Sequence, residues 1–208
     1  MVRESTVLTE SSLATALAAA GLDAPVRAEG TVTSTQAIAR DLAEAGAPAW
    51  TLVSAEHQTE GRGRHGRTWT DAPGGLLVST VLRPPVSAPR AGLVPLLAGA
   101  AMAEACEEAT GVRVVCRWPN DLLVGERKVG GMIAESRIEG DAIAWIVLGV
   151  GVNVAAAPVE VDGAAARGGD AAAILGAFLR RLAPLLEAEP WAAVRARTRR
   201  PRVAHRGR

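Results

Sequence analysis

A chain of 208 residues and 21.4 kDa, with 49% hydrophobic and 22% charged residues, is long enough and apolar enough for one domain with a sizeable core, which excludes intrinsic disorder as its main state. The formal charge of +1 hides an asymmetry: seven arginines and no acid lie between Trp191 and Arg208, leaving 16 bases against 22 acids in residues 1–190. An acidic body argues against a surface that coats nucleic acid non-specifically.

In chain order, Thr9 to Ala20 reads as a helix closed by Gly21. Gln36 to Ala45 reads as a second, with Ser34 or Thr35 as N-cap and Gly46 just past its end. Val26–Thr33 and Trp50–Ala55 read as strands. Glu56 to Gly75 has five glycines, three arginines and no apolar period, which predicts a long loop that is neither helix nor sheet. Leu76–Leu82 is an apolar strand stopped by Pro84 and Pro85, and Ala91–Thr110 a long apolar helix ended by Gly111. A meander follows: Val112–Trp118, Leu122–Val124, a tight turn at Gly125–Arg127, Lys128–Ile138, a turn at Glu139–Asp141, and Ala142–Val154. Turns this short force antiparallel neighbours. Asp170–Glu187 is a last helix, bent or shortened by Pro184. The fold class is therefore α+β, a mainly antiparallel mixed sheet flanked by helices, over residues 1–190, with a basic tail over 191–208.

Cys106 and Cys116 stand alone, without the paired spacing of a zinc site or a disulfide framework. No signal peptide pattern opens the chain, and no apolar run is long enough for a membrane span. The expectation is a cytoplasmic protein with no membrane contact. Neither a phosphate loop ending in Gly-Lys-Ser/Thr nor a dinucleotide fingerprint is present.

Three constellations can carry chemistry. Gly61-Arg62-Gly63-Arg64-His65-Gly66-Arg67-Thr68-Trp69 alternates glycine, which lets backbone N–H groups approach a ligand, with guanidinium forks suited to carboxylate and phosphate. Arg117-Trp118-Pro119-Asn120-Asp121 leads to Lys128-Val129-Gly130-Gly131, where a turn presents polar side chains and a lysine opens the next strand. Lys128 is the single lysine beside 22 arginines. Where a compact point charge on a flexible stem is needed, arginine does not replace it. Gly149-Val150-Gly151-Val152-Asn153 places glycine inside a buried strand, either where something approaches the backbone or at a bulge closing the sheet.

Gln58 through Trp69, Arg117 through Leu122, Lys128 through Glu135 and Gly149 through Asn153, with Ser34-Thr35 ahead of them, resemble biotin–protein ligase in order and separation over roughly residues 26–155. The resemblance implies a catalytic domain like that of class II aminoacyl-tRNA synthetases. It implies a reaction in which biotin and ATP form biotinyl-5′-AMP, followed by transfer to a lysine of a biotin carboxyl carrier protein of a biotin-dependent carboxylase such as acetyl-CoA carboxylase. By position, Ser34, Thr35, Gln36, Gln58, Arg62, Gly63, Arg64 and Lys128 would bind biotin. Arg62, Arg64, Arg67, Trp69, Asn120, Lys128 and Asn153 would bind ATP. Lys128 and Arg64 would be catalytic, and Mg²⁺ would accompany ATP, with no metal ligand assigned directly.

This sequence departs from the family at Gln36, where Asn is frequent, at His65, where a base is frequent, and at Arg117, where Lys is common. The resemblance further implies a monofunctional type without the DNA-binding domain that precedes the catalytic domain in repressor-type members, hence no DNA partner. The small C-terminal β-barrel of the family is expected to be missing, and the protein to be a monomer or weak homodimer. The readings weighed against a biotin ligase are a lipoate ligase, a nucleic-acid-binding module using the Gly-Arg loop and basic tail, and a ligand-binding but inactive relative.

Overall fold

The computed structural model describes residues 7–85, 87–159, 161, 164, 166 and 168–187. The basic segment 191–208 therefore lies outside the described residues. The elements are α1 (Glu10–Ala19), β1 (Val26–Val32), α2 (Thr35–Glu44), β2 (Leu52–Gln58), β3 (Leu76–Leu82), α3 (Val94–Thr110), β4 (Val115–Arg117), β5 (Asp121–Val124), β6 (Arg127–Glu139), β7 (Ala142–Val152) and α4 (Ala171–Glu187). Among the described residues the strands form one sheet in the order β1-β2-β3-β7-β6-β5-β4. β1 and β2 run parallel, joined by the α2 crossover, and every other neighbouring pair is antiparallel. The α+β class and the mainly antiparallel sheet hold.

Local chemistry explains the element ends. The Thr9 side chain accepts from Ser12 N–H while the Ser12 hydroxyl receives the Thr9 N–H, a reciprocal box that starts α1. Gly111, at φ 69, ends α3 in the left-handed conformation that glycine takes without steric cost. Ala91–Leu93, expected as the first turn of α3, belongs instead to a 3-10 turn over Ala88–Leu93. Pro95 sits in the first turn of α3, where its missing N–H costs nothing. Pro184 lies inside α4, which runs past it to Glu187.

The sheet is covered unequally. α1, α3 and α4 pack on one face around Leu13, Leu17, Leu97, Met102, Phe178 and Leu182. α2 lies on the other face, where Ala39 and Ala43 meet Val53, Val81, Trp145 and Val147. β3 is buried along its whole length because it has a helix on each side, which is why it reads as an unbroken apolar run. The short α2 covers only part of its face. What it leaves open holds the site.

Candidate active site

Three cross-strand rows run along the α2 face: Val81–Val147–Glu135, Ser79–Gly149–Ile133 and Leu77–Gly151–Gly131. The smaller α2 cluster includes Val81 and Val147 of the first row. The other two rows carry glycine at Gly149, Gly151 and Gly131, so the floor there drops to bare backbone. A cavity of about 390 Å³ opens above it. The glycines of β7 are required by the chain's own approach to its backbone. A Cβ at Gly149 would strike Gln36 Oε1, and one at Gly151 would lie 2.6 Å from the Trp69 ring.

The roof is the segment after β2. It was expected to lack regular structure, and the structure differs: β2 runs on to Gln58, and Arg62 pairs with Thr68 across a tight turn. Gly63 N–H donates to Arg67 O at 2.8 Å and Trp69 N–H to Gly61 O at 2.8 Å, around a 3-10 turn at Arg64–Gly66 in which His65 sits at φ 55. The glycine spacing creates this ladder, because a Cβ at Gly61 would strike the carbonyl of Trp69. His57 Nδ1 meets Asp71 Oδ2 at 2.9 Å and ties the exit of the loop back to β2.

Polar groups around the cavity form two hydrogen-bonded clusters. Over the Gly149 row the groups are neutral: Thr35 N–H donates to Gln58 Oε1 at 2.9 Å, Thr35 and Ser79 hydroxyls meet at 2.9 Å, and Gln36 Nε2 donates to Val147 O at 3.0 Å. Ser34, next to them, is 2% exposed and its hydroxyl has no partner. Over the Gly131 row the groups are charged. Lys128 Nζ lies 2.7 Å from Asp121 Oδ1 and 5.8 Å from the centroid of the Trp69 ring. Arg117 Nη2 holds the other Asp121 oxygen at 3.0 Å, and Arg64 Nη1 donates to Asn120 Oδ1 at 3.3 Å. Asn120 Nδ2 in turn donates to Met132 O at 2.9 Å.

A bulge aims the lysine. Leu122 pairs with Gly130 but Leu123 pairs with Lys128, so Val129 is the extra residue on β6. Val129 and Gly130 both face the helical core, and Lys128 and Gly131 both face the cavity, where a regular strand would put them on opposite sides. Burial alone would raise the Asp121 carboxyl. The hydrogen bonds and charges of Lys128 and Arg117 outweigh it and hold the group below the usual carboxylate range. Burial first, then the charge of Asp121, pushes the Cys116 thiol up to about 11, which keeps it protonated at neutral pH.

Ser34, Thr35, Gln36, Gln58, Arg62, Gly63, Arg64, Arg67, Trp69, Asn120 and Lys128 all line this cavity. Asn153 is not among the lining residues; it is buried at the end of β7, where its N–H donates to Val129 O at 2.7 Å. Sequence reasoning gave no role to Ser79, a polar residue inside an apolar strand, and read Asp121 only as a turn residue whose side chain can face a ligand, not as the partner of Lys128. It also missed Glu135, whose carboxylate stands 3.8 Å from both Arg40 and Arg62. Trp118, 67% exposed, lies on the rim.

A model of the biotin/lipoate A/B protein ligase family matches residues 29–153. The bifunctional ligase/repressor BirA of Bacillus subtilis (strain 168) is 39% identical over 124 residues, 59% of this chain and 38% of that protein. The biotin–[acetyl-CoA-carboxylase] ligase of Paracoccus denitrificans is 38% identical over 112 residues, 53% of this chain and 46% of that one. The chain thus spans less than half the length of these relatives. Biotin protein ligase from Aquifex aeolicus, solved in complex with biotin and ATP, is 30% identical with a TM-score of 0.63, covering 78% of this chain and 70% of that one.

Proposed function

The chain belongs to the biotin/lipoate A/B protein ligase family, and from that membership we propose that it is an ATP-dependent biotin–protein ligase acting on the carrier protein of a biotin-dependent carboxylase. The observation that carries this reading is the division of the cavity into a neutral hydrogen-bonding end and a cationic end over a floor with glycine at Gly131, Gly149 and Gly151. A ligand with an uncharged polar ring, an aliphatic arm and a terminal carboxylate matches that division. The ureido ring lies at Ser34, Thr35 and Gln58, and the carboxylate at Lys128.

In the first step the biotin carboxylate attacks the α-phosphorus of ATP, and pyrophosphate leaves with biotinyl-5′-AMP formed. Two anions must meet, so the residues here act chiefly by charge. Before substrate arrives Asp121 holds the Lys128 ammonium at 2.7 Å; an incoming carboxylate competes for it and is drawn to the position where Arg64 also reaches. Trp69, beneath the ammonium and over Gly151, offers its ring face to the nucleotide. In the second step a carrier lysine attacks the acyl carbon and AMP leaves. The folded Gly61–Trp69 roof limits water at the mixed anhydride.

Asp121 and Asn120 supply hard oxygen donors, and among the described residues no group of three or more His, Cys, Asp or Glu gathers. Lys128 and Arg117 already occupy both Asp121 oxygens and Arg64 the Asn120 oxygen, however, so Mg²⁺ would enter on the ATP phosphates and would be coordinated chiefly by phosphate and water. When bound it neutralises phosphate charge. A nucleic-acid module is not favoured, because the Gly-Arg loop is folded over a cavity rather than presented as a strip. ATP–pyrophosphate exchange tests the reading: exchange should depend on biotin and not on lipoate, and exchange with lipoate alone would overturn it. Lys128→Ala should lower the exchange rate by about 10²-fold or more with the far-ultraviolet circular dichroism unchanged; wild-type exchange in that variant would remove Lys128 from the mechanism.

A further inference from the structure

Trp69, Arg64 and Arg62 each fasten the Gly61–Trp69 roof to the fold beneath it. Trp69 lies over Gly151 of β7, and Arg64 donates to Asn120 at the cationic end of the cavity. Arg62 is held on the α2 side, and by charge alone. Glu135 ends the cross-strand row Val81–Val147–Glu135, with one carboxylate oxygen 3.8 Å from Arg62 and the other 3.8 Å from Arg40 of α2. At that separation neither contact is a hydrogen bond. One acid thus stands between two guanidinium groups carried by separate elements.

The side chains of Arg40, Glu135 and Arg62 are 33%, 34% and 46% exposed, so each attraction is weak and is screened by salt. Weakness matters less here than it would in a core. The roof's own ladder is short, with Gly63 N–H on Arg67 O and Trp69 N–H on Gly61 O. A two-stranded ladder of that length is marginal when it stands alone. Small attractions to the floor therefore decide how much of the time it stays folded over the cavity. Arg40 draws on the same carboxylate as Arg62 and carries the same charge, so it loosens the roof. With the Arg40 charge gone, the Glu135 carboxylate is free to turn both oxygens to the Arg62 fork.

We propose that Glu135 is a positioning residue that holds the roof closed through Arg62, and that Arg40 opposes it by sharing the carboxylate. Neither residue lines the cavity, so both act on the roof and not on a ligand inside it. What the tether does to ligand release rests on the biotin reading above; what it does to the roof does not.

Hydrogen–deuterium exchange of the full chain without ligand, read by mass spectrometry over residues 61–69, tests the roof directly. Glu135→Gln keeps the size and removes the charge, and should raise roof exchange about twofold to fivefold. Arg40→Met keeps the aliphatic stem, and should lower it about twofold. Peptides from β3 and α3 should exchange as in the wild type, which separates an effect on the roof from a loss of folding. Raising NaCl from about 0.05 M to about 1 M, where the screening length falls to about 3 Å, should bring the roofs of all three proteins to one rate. Tritiated biotin, released under a chase, should leave Glu135→Gln fastest and Arg40→Met slowest. Roof exchange in Glu135→Gln at or below the wild-type rate would overturn the proposal. So would exchange in Arg40→Met at or above that rate, because Arg40 then braces the roof or leaves it untouched. A difference that survives high salt would mean packing rather than charge, and would overturn it too. Equal release rates would overturn the control of ligand exit. If the wild type binds no biotin, the ligase reading fails while the exchange rates still decide the role of Glu135.

Discussion

Asp121 sits where the mechanism and the stability of the empty site meet. Its carboxylate accepts from Lys128 and Arg117, and its acidity is raised in the fold despite partial burial. A carboxyl whose folded value is depressed contributes stability that is present above its unfolded value, about 3.9, and is lost as pH falls through the folded value. Thermal midpoints measured from pH 5 down to pH 2 should therefore fall less steeply in Asp121→Asn than in the wild type. Parallel acid limbs for the two proteins would show that the pair adds nothing to folding. At the same scale, the lone lysine was legible as an oddity of composition. Its partner was not, since nothing in a linear Asn-Asp turn says which carboxylate will meet an ammonium seven residues on.

Among the elements, α4 anchors the helical layer. It packs on α1 and α3, and Phe178, the chain's only phenylalanine, is 1% exposed within that layer. Phe178→Ala should cost about 3–5 kcal/mol of unfolding free energy, read from a urea titration by circular dichroism. A loss below 1 kcal/mol would mean that the layer re-packs freely. Ion pairs between Arg180 and Arg181 of α4 and Glu104 and Glu108 of α3 decorate the same contact but are well exposed and add little. Most element boundaries were legible within a few residues, because glycine, proline and cap residues mark them chemically. The exception is the Gly61–Trp69 roof. It has no apolar period, so its short ladder depends on backbone approach at Gly61 rather than on any side-chain pattern.

For the whole molecule, ligand and fold are linked. A ligand that enters the cavity and binds only the folded state stabilises it by about 2.7 kcal/mol at a hundred times its dissociation constant. For a chain of this size that is a rise of roughly 5–10 °C in thermal midpoint. Biotin should produce that rise and lipoate at the same concentration should not. Equal shifts would place ring discrimination elsewhere than in the neutral cluster. The rise should be smaller in Lys128→Ala, because the carboxylate end is then unmatched while Ser34, Thr35 and Gln58 remain.

Sequence alone determined the fold class, the order of the elements and the family resemblance, since hydrophobic period, turn residues and motif spacing are all local properties of the chain. It also assembled nearly every residue of the cavity wall, because all of them but Ser79 lie in five short runs. Tertiary structure decided which of them meet. Ser79 joins Thr35 to Gln36 only because β3 pairs with β7 in a register that sets Ser79 beside Gly149. Lys128 and Gly131 share the cavity face only because Val129 bulges. Register and bulge arise from pairing between strands distant in the chain, and no periodicity within a single strand records them.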